Sequence, residues 1–362
     1  MTRVRVAYLQ KAPSGHADAC LRALARTGKA DLFVTMPPTL SDTPYDQHSF
    51  WWPQNTYVLR SLERDDGLLA ELRRFRPDVT LIVGWEQRAY RHCARQLRGA
   101  SLRVVCMDNQ WLRTPKQLLG IATSRLYLRP YFDAAFVAGS RQMAFALRLG
   151  FARERIFEGF DAADVDAFRS VEPLETPGAG TRSAFVFVGR LVSEKGIADL
   201  IKAYRLYRDS APDPWPLLVF GAGPLAPLFE SVPGIEQHGF VDPAQLPVEF
   251  ARGSFLVLPS TFEPWGVVVH EATAAGLGCI CTTAVGAADV FVRDGVNGRI
   301  VRPNAPADLA EALRWAHRRS PDQRAEVTRL SRKLAGRLTP ERWAATVLGM
   351  RLHSTRYGED FR

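Results

Sequence analysis

Short apolar runs separated by helix-like stretches follow one another through the first 170 residues. The runs, which we predict to be strands, lie at 4–9, 31–35, 79–83, 102–107 and 134–138. The stretches between them, which we predict to be helices, lie at 16–26, 57–74, 86–98 and 141–150. Because the runs are apolar throughout, both faces of each strand must be covered, as in a parallel sheet flanked by helices. This half is therefore predicted to be a doubly wound α/β domain.

The pattern stops at residues 171–183, a stretch rich in Pro, Gly and Thr that is typical of a linker. Beyond it, predicted strands and helices alternate again. We therefore predict a first α/β domain over 1–170, a linker over 171–183, a second α/β domain over 184–340 and a closing helix over 341–362. Two such domains in tandem favour a ligand site in a cleft at the carboxyl ends of their strands.

Composition narrows the class of protein. The chain has 362 residues, 46% of them hydrophobic and 23% charged, which is ordinary for a globular protein of two domains. Its five cysteines lack paired spacing, which predicts buried free thiols in a reducing cytoplasm. The opening segment MTRVRVAYLQKAP does not resemble a signal peptide, and no apolar run approaches the ~20 residues that span a bilayer. We expect a cytoplasmic protein, soluble or peripheral at the inner face of the cell membrane.

Most of the net charge of +9 lies in the amino-terminal half. Residues 1–170 carry 25 Lys and Arg against 17 Asp and Glu, whereas the remainder carries 22 against 21. Such a basic domain could bind an anionic membrane surface or a phosphorylated substrate, or it could simply be a solvated arginine-rich surface. No nucleic-acid-binding motif accompanies the charge, so we expect no nucleic-acid partner.

Two segments of the second half carry candidate chemistry. In FVGRLVSEKG, Gly189 permits a tight turn, and Arg190 and Lys195 lie on one loop where two cations can converge on a diphosphate. The competing interpretation is a helix-start loop with incidental surface charges. In STFEPWGVVVHEA, an E-x₇-E pair places Glu263 toward a sugar and Glu271 toward ribose hydroxyls. The second segment also contains Pro264 at an early helix position, Gly266 for close approach to the backbone, and free N–H groups that form an anion site.

Residues 184–316 resemble the retaining GT-B glycosyltransferases, the large group 1 type that includes bacterial glycan-assembly enzymes. The resemblance rests on FVGRLVSEKG, VFGAGPL, HGFV, LPSTFEPWGVVVHEATAAG and DGVNGRIVRP, which occur in the family's order. In addition, FEGFD at 157–161 looks like the family's Asn-Gly-Val-Asp turn, and Trp343 looks like the aromatic residue on the helix that crosses back to the first domain. The resemblance implies the GT-B fold, in which two Rossmann-like domains face each other across a cleft.

The resemblance also implies a function. The implied function is transfer of a sugar from a UDP- or GDP-linked donor to a sugar or lipid-linked acceptor in bacterial surface glycan or glycolipid synthesis. The implied reaction needs no metal and retains the configuration at the anomeric carbon. Glu263, Arg190 and Lys195 would be catalytic, the two cations neutralising the leaving diphosphate, so that neither metal nor cofactor is implied. The implied donor-binding residues are Gly189, Arg190, Lys195, Gly221, Gly239, Phe240, Glu263, Gly266, Val267 and Glu271.

Three segments depart from the family's pattern. The first loop has one glycine, Gly15, beside His16, where the family usually has two glycines. Asp108 and Asn109 stand where the family has a histidine, and Asp289 ends a segment that usually ends in Glu. The acceptor-side candidates are therefore Gly15, His16, Asp108 and Asn109.

Other interpretations stay open. The missing histidine suggests a non-catalytic sugar-nucleotide-binding protein, and a sugar-nucleotide epimerase has a similar two-domain build. GAGPLA at 221–226 also matches the dinucleotide fingerprint G-x-G-x-x-A, although Pro224 departs from it. His270 is expected to be a packed or solvent-exposed histidine. The aromatic residues at 51–52 and 127–132 are expected in the core, or as an acceptor or membrane-interface surface beside the basic residues.

Overall fold

The structure is a computed structural model that describes residues 3–10, 12–36, 50–171 and 183–355, the last three by their backbone alone. In these ranges the chain forms two α/β units, Met1–Ala162 with Leu338–Arg362 (unit 1) and Ala163–Arg337 (unit 2). The strands are β1 (Val4–Leu9), β2 (Ala30–Met36), β3 (Asn55–Val58), β4 (Val79–Val83), β5 (Leu102–Met107), β6 (Ala134–Val137), β7 (Ile156–Glu158), β8 (Phe185–Val188), β9 (Leu217–Phe220), β10 (Ile235–Gly239), β11 (Phe255–Leu258), β12 (Gly278–Thr282) and β13 (Gly298–Val301).

The helices are α1 (Gly15–Arg26), α2 (Asp66–Phe75), α3 (Arg88–Gln96), α4 (Pro115–Tyr127), α5 (Ser140–Arg148), α6 (Val165–Arg169), α7 (Ile197–Arg208), α8 (Leu246–Phe250), α9 (Val267–Ala274), α10 (Ala288–Phe291), α11 (Pro306–His317), α12 (Pro321–Ala335) and α13 (Pro340–Thr355). Among the residues described, no helix combines the length and the apolar character needed to cross a membrane.

Unit 1 is built on a sheet whose seven described strands run in the order β3-β2-β1-β4-β5-β6-β7, with every pairing parallel. Val6 and Tyr8 of β1 pack into one buried cluster with α1 and α13, and Ala7 and Leu9 pack into a second cluster on the opposite face. Both faces are therefore covered, which is why the strands are apolar throughout. The predicted parallel α/β fold is confirmed.

Unit 2 repeats the design with six described strands in the order β10-β9-β8-β11-β12-β13, again all parallel. In both sheets the order of strands reverses next to the first strand, between β1 and β4 and between β8 and β11. This is the Rossmann arrangement, in which ligands bind outside the carboxyl ends of the strands at the reversal.

The structure divides the chain between Ala162 and Ala163, whereas the sequence placed the end of the first domain at residue 170. Helix α6 accordingly belongs to unit 2. Most of the predicted linker, residues 172–182, lies outside the described residues. Helix α13 belongs to unit 1, where the buried ring of Trp343 packs at 6.3 Å from Tyr8 and 5.9 Å from Phe136, measured between ring centroids.

The helix predicted over 57–74 begins too early. Residues Asn55–Val58 form an edge strand beside β2, and the helix starts only at Asp66. The reason is Asp65, whose carboxylate accepts hydrogen bonds from the Leu68 N–H at 3.0 Å, the Arg60 N–H at 2.8 Å and the Tyr57 hydroxyl at 2.8 Å. This carboxylate caps the helix and holds the preceding loop in a non-helical conformation.

The cysteines are as expected: all five are buried and none forms a disulfide. Burial raises the pKa of the Cys93 thiol to about 12. Such a thiol stays protonated at neutral pH and is therefore a poor nucleophile.

Candidate functional site

The loops that follow β8 and β11 bring an ammonium and a carboxylate together at the reversal of the second sheet. Lys195 forms an ion pair with the Oε2 atom of Glu263, although the two residues are 68 positions apart. Their side chains are only 14% and 12% exposed. The Ser260 hydroxyl donates to the same Oε2 atom at 3.4 Å. Lys195 and Glu263, two of the three predicted catalytic residues, thus share one partly buried site.

Backbone contacts hold these two loops against each other. The Thr261 N–H donates to the Glu194 carbonyl at 2.9 Å. Gly196 has φ of +70°, and a Cβ at this position would lie 2.1 Å from the carbonyl oxygen of Pro259. Only glycine combines this backbone conformation with so close an approach. Gly196 therefore sets the separation between Lys195 and Glu263.

Helix α9 begins directly after the second loop. Gly266 precedes it in the left-handed region with φ of +90°, and in this described segment no side chain caps the first N–H groups. Pro264 lies in the loop before α9, so the early helix position predicted for it is wrong. The loop is fixed from its other side, because Gly286 and Ala287 donate to the carbonyls of Glu263 and Trp265. An uncapped helix start beside Lys195 favours binding of an anion.

Arg190 lies on the same loop as Lys195 but faces solvent. Its side chain is 72% exposed and its Nη2 atom donates to Glu194 Oε1 at 2.8 Å. An exposed pair of this kind contributes about 1 kcal/mol or less. An anionic ligand could therefore displace Glu194 from Arg190 at low cost.

Comparison with known proteins agrees with this geometry, since residues 182–318 match the family model described as Glycosyl transferases group 1. This segment of the chain is similar to that family. The matched region contains the whole Lys195–Glu263 site.

Two curated relatives and one solved structure illustrate the similarity to other proteins. An exopolysaccharide phosphotransferase of Streptomyces coelicolor is 31% identical over 222 residues, which cover 59% of this chain and 22% of that protein. The alpha-D-kanosaminyltransferase of Streptomyces kanamyceticus is 27% identical over 161 residues, covering 42% of this chain and 41% of the relative. The chain thus spans less than half the length of either relative. A crystal structure of HepE from Anabaena in complex with UDP has a TM-score of 0.72 at 17% identity, covering 96% of this chain and 99% of that one. This likeness shows the GT-B fold.

The other predicted donor-side residues lie on the same edge of the second sheet. The Gly189 N–H donates to Phe220, and the Gly221 N–H donates to the Gly239 carbonyl at 2.6 Å, so the ends of β8, β9 and β10 are linked. Phe240 is exposed just beyond β10. Val267 and Glu271 are half-buried on α9, one turn apart. The structure places these residues on one edge, where an ion pair joins Lys195 to Glu263 and a backbone hydrogen bond joins Gly221 to Gly239.

The dinucleotide interpretation of GAGPLA fails on its structural context. That fingerprint requires a helix directly after the strand, with its first turn facing the pyrophosphate. Here β9 is followed by a loop and a single 3₁₀ turn at Ala226–Phe229. The expectation for His270 is confirmed: it is fully buried in unit 2 and stacks on Phe291 at 4.2 Å.

In unit 1 the acceptor-side candidates fall into two groups. His16 lies in the first turn of α1, its Nε2 atom 3.4 Å from Asp161 Oδ1 and 3.3 Å from the Ser14 hydroxyl, and Gly15 is the first residue of that helix. Asp108 and Asn109 follow β5, where Gln142 donates to the Asp108 carbonyl at 3.0 Å. The partner of His16 comes from FEGFD, the segment that resembled the family's turn.

Two glutamines that the sequence did not single out flank the reversal of the first sheet. Gln10 follows β1 and Gln87 follows β4, and each has a buried Oε1 atom without a hydrogen-bond partner in the described part of the chain. The main chain of Gln10 is held by Thr35, and the Tyr90 hydroxyl donates to its carbonyl at 2.6 Å. Gln10 directly follows an apolar strand, but neither position carries a signal in the sequence that its acceptor atom is unused. Because a buried acceptor left without a partner is costly, both positions suit a ligand that donates hydrogen bonds.

Proposed function

We propose that the protein is a glycosyltransferase that moves a sugar from a nucleoside-diphosphate sugar to a sugar or lipid-linked acceptor, with retention at the anomeric carbon. The observation that carries the proposal is the Lys195–Glu263 ion pair at the strand reversal of unit 2, beside the uncapped start of α9. The match of residues 182–318 to the group 1 family model supports it. The UDP bound to HepE supports a UDP- or GDP-linked donor.

In this proposal the donor diphosphate lies between the Lys195 ammonium and the first N–H groups of α9. As the glycosyl–phosphate bond breaks, negative charge grows on the diphosphate, and these groups stabilise it without reorganising. Arg190 leaves Glu194 and adds a second cation. Because two side-chain cations neutralise the leaving group, transfer needs no metal and should continue in EDTA.

Glu263 contacts the transferred sugar, and its carboxylate faces the positive charge that develops at the anomeric carbon. Before the donor binds, Glu263 pairs with Lys195 and keeps this ammonium from being an isolated partly buried charge. Glu271, just over one turn into α9, accepts hydrogen bonds from the nucleotide ribose. Gly239 and Phe240 lie beside the base.

We assign the acceptor to unit 1, in bacterial surface glycan or glycolipid synthesis. The supporting observations are the His16–Asp161 contact and the unused acceptor atoms of Gln10 and Gln87, because sugar hydroxyls donate hydrogen bonds. The basic character of this half suits an acceptor with phosphate groups, or an acceptor held at an anionic membrane surface.

The donor can be identified by thermal unfolding with a panel of UDP-, GDP- and ADP-sugars. A donor at 100 times its dissociation constant stabilises the folded state by about 2.7 kcal/mol. For a domain of this size, that raises the midpoint by roughly 5–10 °C. If no sugar nucleotide shifts the midpoint, the proposed donor site is wrong.

Replacing Glu263 with Gln tests its role in catalysis. We expect transfer to fall by at least about 100-fold, a loss typical of one electrostatic group in an active site. Binding of the nucleoside diphosphate should be retained or tightened, because Lys195 loses its counter-ion. Glu249→Gln, which removes a charge paired with Arg252 elsewhere in unit 2, is the matched control and should change neither quantity.

The same assays separate the alternatives. A non-catalytic sugar-nucleotide-binding protein would bind the donor but show neither transfer nor slow hydrolysis in the wild type. An epimerase would convert the donor with no acceptor present. Anomeric configuration of the product, read by NMR, decides retention against inversion.

A further inference from the structure

Helix α4 turns its apolar face toward solvent. Leu118, Leu119 and Leu126 are 56%, 67% and 81% exposed, and Ala122 between them is also exposed. At 100° per residue these four positions form one stripe along the helix. Leu112, just before α4, is exposed as well. In a helix that merely covers a sheet, this stripe would face the core.

On its inner face, α4 packs the half-buried side chains of Ile121 and Tyr127 against the core and adds polar contacts. The amide of Gln117 donates to the Gln110 carbonyl at 2.8 Å and accepts from the Leu112 N–H at 2.7 Å. Ser124 is the only buried residue of the helix, and its hydroxyl donates to the Ile121 carbonyl. The helix thus packs on the core without using its leucines, so the exposed leucines need an explanation other than core packing.

The stripe lies in a purely basic segment. Residues 109–132 contain Arg113, Lys116, Arg125 and Arg129 and no acidic residue. Lys116 and Arg125 are exposed and flank the leucine stripe on its two sides. An apolar face bordered by cations is the pattern of helices that lie in the interface of an anionic membrane.

We propose that α4, together with Leu112, docks unit 1 on an anionic lipid surface. The leucines would enter the boundary between headgroups and acyl chains, while Lys116 and Arg125 would contact lipid phosphates. A second copy of the chain fits less well. The helix has 13 residues and is about 20 Å long and 10 Å wide, so it presents roughly 200 Å², whereas a stable interface needs about 800 Å² per partner. Two copies would also bring like charges together.

This inference deepens the proposed function, because it assigns to one helix the lipid surface at which a lipid-linked acceptor would be met. Vesicle binding, however, is measured without donor or acceptor. Vesicle binding can therefore fail while transfer to a soluble acceptor stands, and transfer can fail while vesicle binding stands.

The experiment is co-sedimentation of the full-length protein with vesicles of phosphatidylcholine alone and of phosphatidylcholine mixed with phosphatidylglycerol. The triple variant Leu118→Ser, Leu119→Ser, Leu126→Ser should lower partitioning onto mixed vesicles by at least about tenfold, or 1.4 kcal/mol. The matched control, Leu206→Ser with Leu228→Ser, changes two leucines of unit 2 that are each 47% exposed and should bind like the wild type.

A charge variant tests the second part of the proposal. Lys116→Gln with Arg125→Gln should weaken binding to mixed vesicles by about tenfold or more and leave the weak binding to neutral vesicles unchanged. Lys202→Gln with Lys333→Gln, both in unit 2, is its control. All variants should keep the wild-type unfolding midpoint because the replaced side chains are exposed.

Three results would overturn the proposal. The first is no enrichment of the wild type on mixed over neutral vesicles. The second is equal binding by the leucine variant and the wild type. The third is a lipid-free dimer, seen by light scattering, that the leucine variant abolishes, which would assign the stripe to a second copy of the chain.

Discussion

The Lys195 ammonium and the Glu263 carboxylate show how two residues far apart in the chain can form one ion pair. Each is more than four-fifths buried, and the attraction between the two charges offsets part of the cost of removing them from water. In the proposed function, a diphosphate would join Glu263 as a partner of the ammonium. At the scale of residues, the positive charge that could attract an anion is thus balanced by the carboxylate while no anion is bound.

His317 gives a prediction about pH. The Tyr207 hydroxyl accepts from the backbone N–H of Trp215 at 2.8 Å and shares a hydrogen bond of 2.6 Å with the His317 Nδ1 atom. Burial, followed by the nearby Arg324 charge, lowers the pKa of His317 below 6.5 and so favours the neutral ring. The unfolded chain then binds the proton more readily than the folded chain. The stability from His317 is complete above about pH 6.5 and is lost as pH falls through the lowered pKa.

We expect the unfolding midpoint of the wild type to fall between pH 7 and pH 5 more than that of His317→Phe. The phenyl ring can keep the stacking on Trp215, which lies 5.3 Å away between centroids, but it cannot titrate. Parallel curves for the two proteins would contradict the prediction.

At the scale of elements, the sequence predicts the buried strands best. Strands β1, β4 and β5 have the predicted bounds, because a strand buried on both faces must be apolar at every position. Edge strand β3, by contrast, is exposed and polar, and the carboxylate of Asp65, which ends the preceding loop, gives no periodic signal. Helix α4 was missed because apolar residues lie on both of its sides, toward the core and toward solvent, which blurs the amphipathic pattern.

The candidate site was predictable in part for the same reason. Loops at the carboxyl ends of parallel strands converge whatever their sequence, so the approach of Lys195 to Glu263 followed from the order of elements. The direction of Arg190 did not follow, because an exposed arginine is placed by local pairing with Glu194. Gln10 and Gln87 could not be recognised either, since an unused hydrogen-bond acceptor is visible only in three dimensions.

Gly196 allows a test of how two loops build one site. In Gly196→Ala the new Cβ would meet the Pro259 carbonyl, so the loop after β8 must move away from β11. We expect a loss of about 1–3 kcal/mol of unfolding free energy together with weaker binding of the nucleoside diphosphate.

Gly295→Ala is the control for this substitution. Gly295 has a similar φ of +75°, but a Cβ there meets nothing within 4 Å. It should share the backbone strain and keep normal nucleotide binding. Equal nucleotide binding by both alanine variants would show that the contact with Pro259 does not position Lys195.

At the scale of the molecule, one imidazole holds both places where the chain passes into and out of unit 2. The His270 Nδ1 atom accepts from the Ala163 N–H at 3.0 Å, and its Nε2 atom lies 3.0 Å from the Ala335 carbonyl. Since Nδ1 accepts, the ring proton must be on Nε2, which donates to Ala335. Ala163 and Ala335 lie near the two boundaries of unit 2, so the ring fixes both of its ends.

His270→Leu should lower the unfolding free energy by about 2–5 kcal/mol, because it leaves a buried N–H and a buried carbonyl without partners. Urea denaturation measures the loss, and hydrogen exchange should show a loss of protection at the Ala163 amide. His92→Leu, at a half-exposed position on α3, should change stability by less than about 0.5 kcal/mol. An unchanged Ala163 amide in His270→Leu would remove the ring from this role.

Because that ring fixes both chain crossings, residues 163–335 form an insert whose two ends are no farther apart than one imidazole and two hydrogen bonds of 3.0 Å. A catalytic module from another enzyme could be grafted here only if its own ends were equally close. An insert whose two ends lay farther apart would move Leu338 away from Ala162 and would displace the Trp343 ring from its contact with Tyr8. In any chimaera, the distance between the two ends of the insert would matter more than its sequence similarity to unit 2.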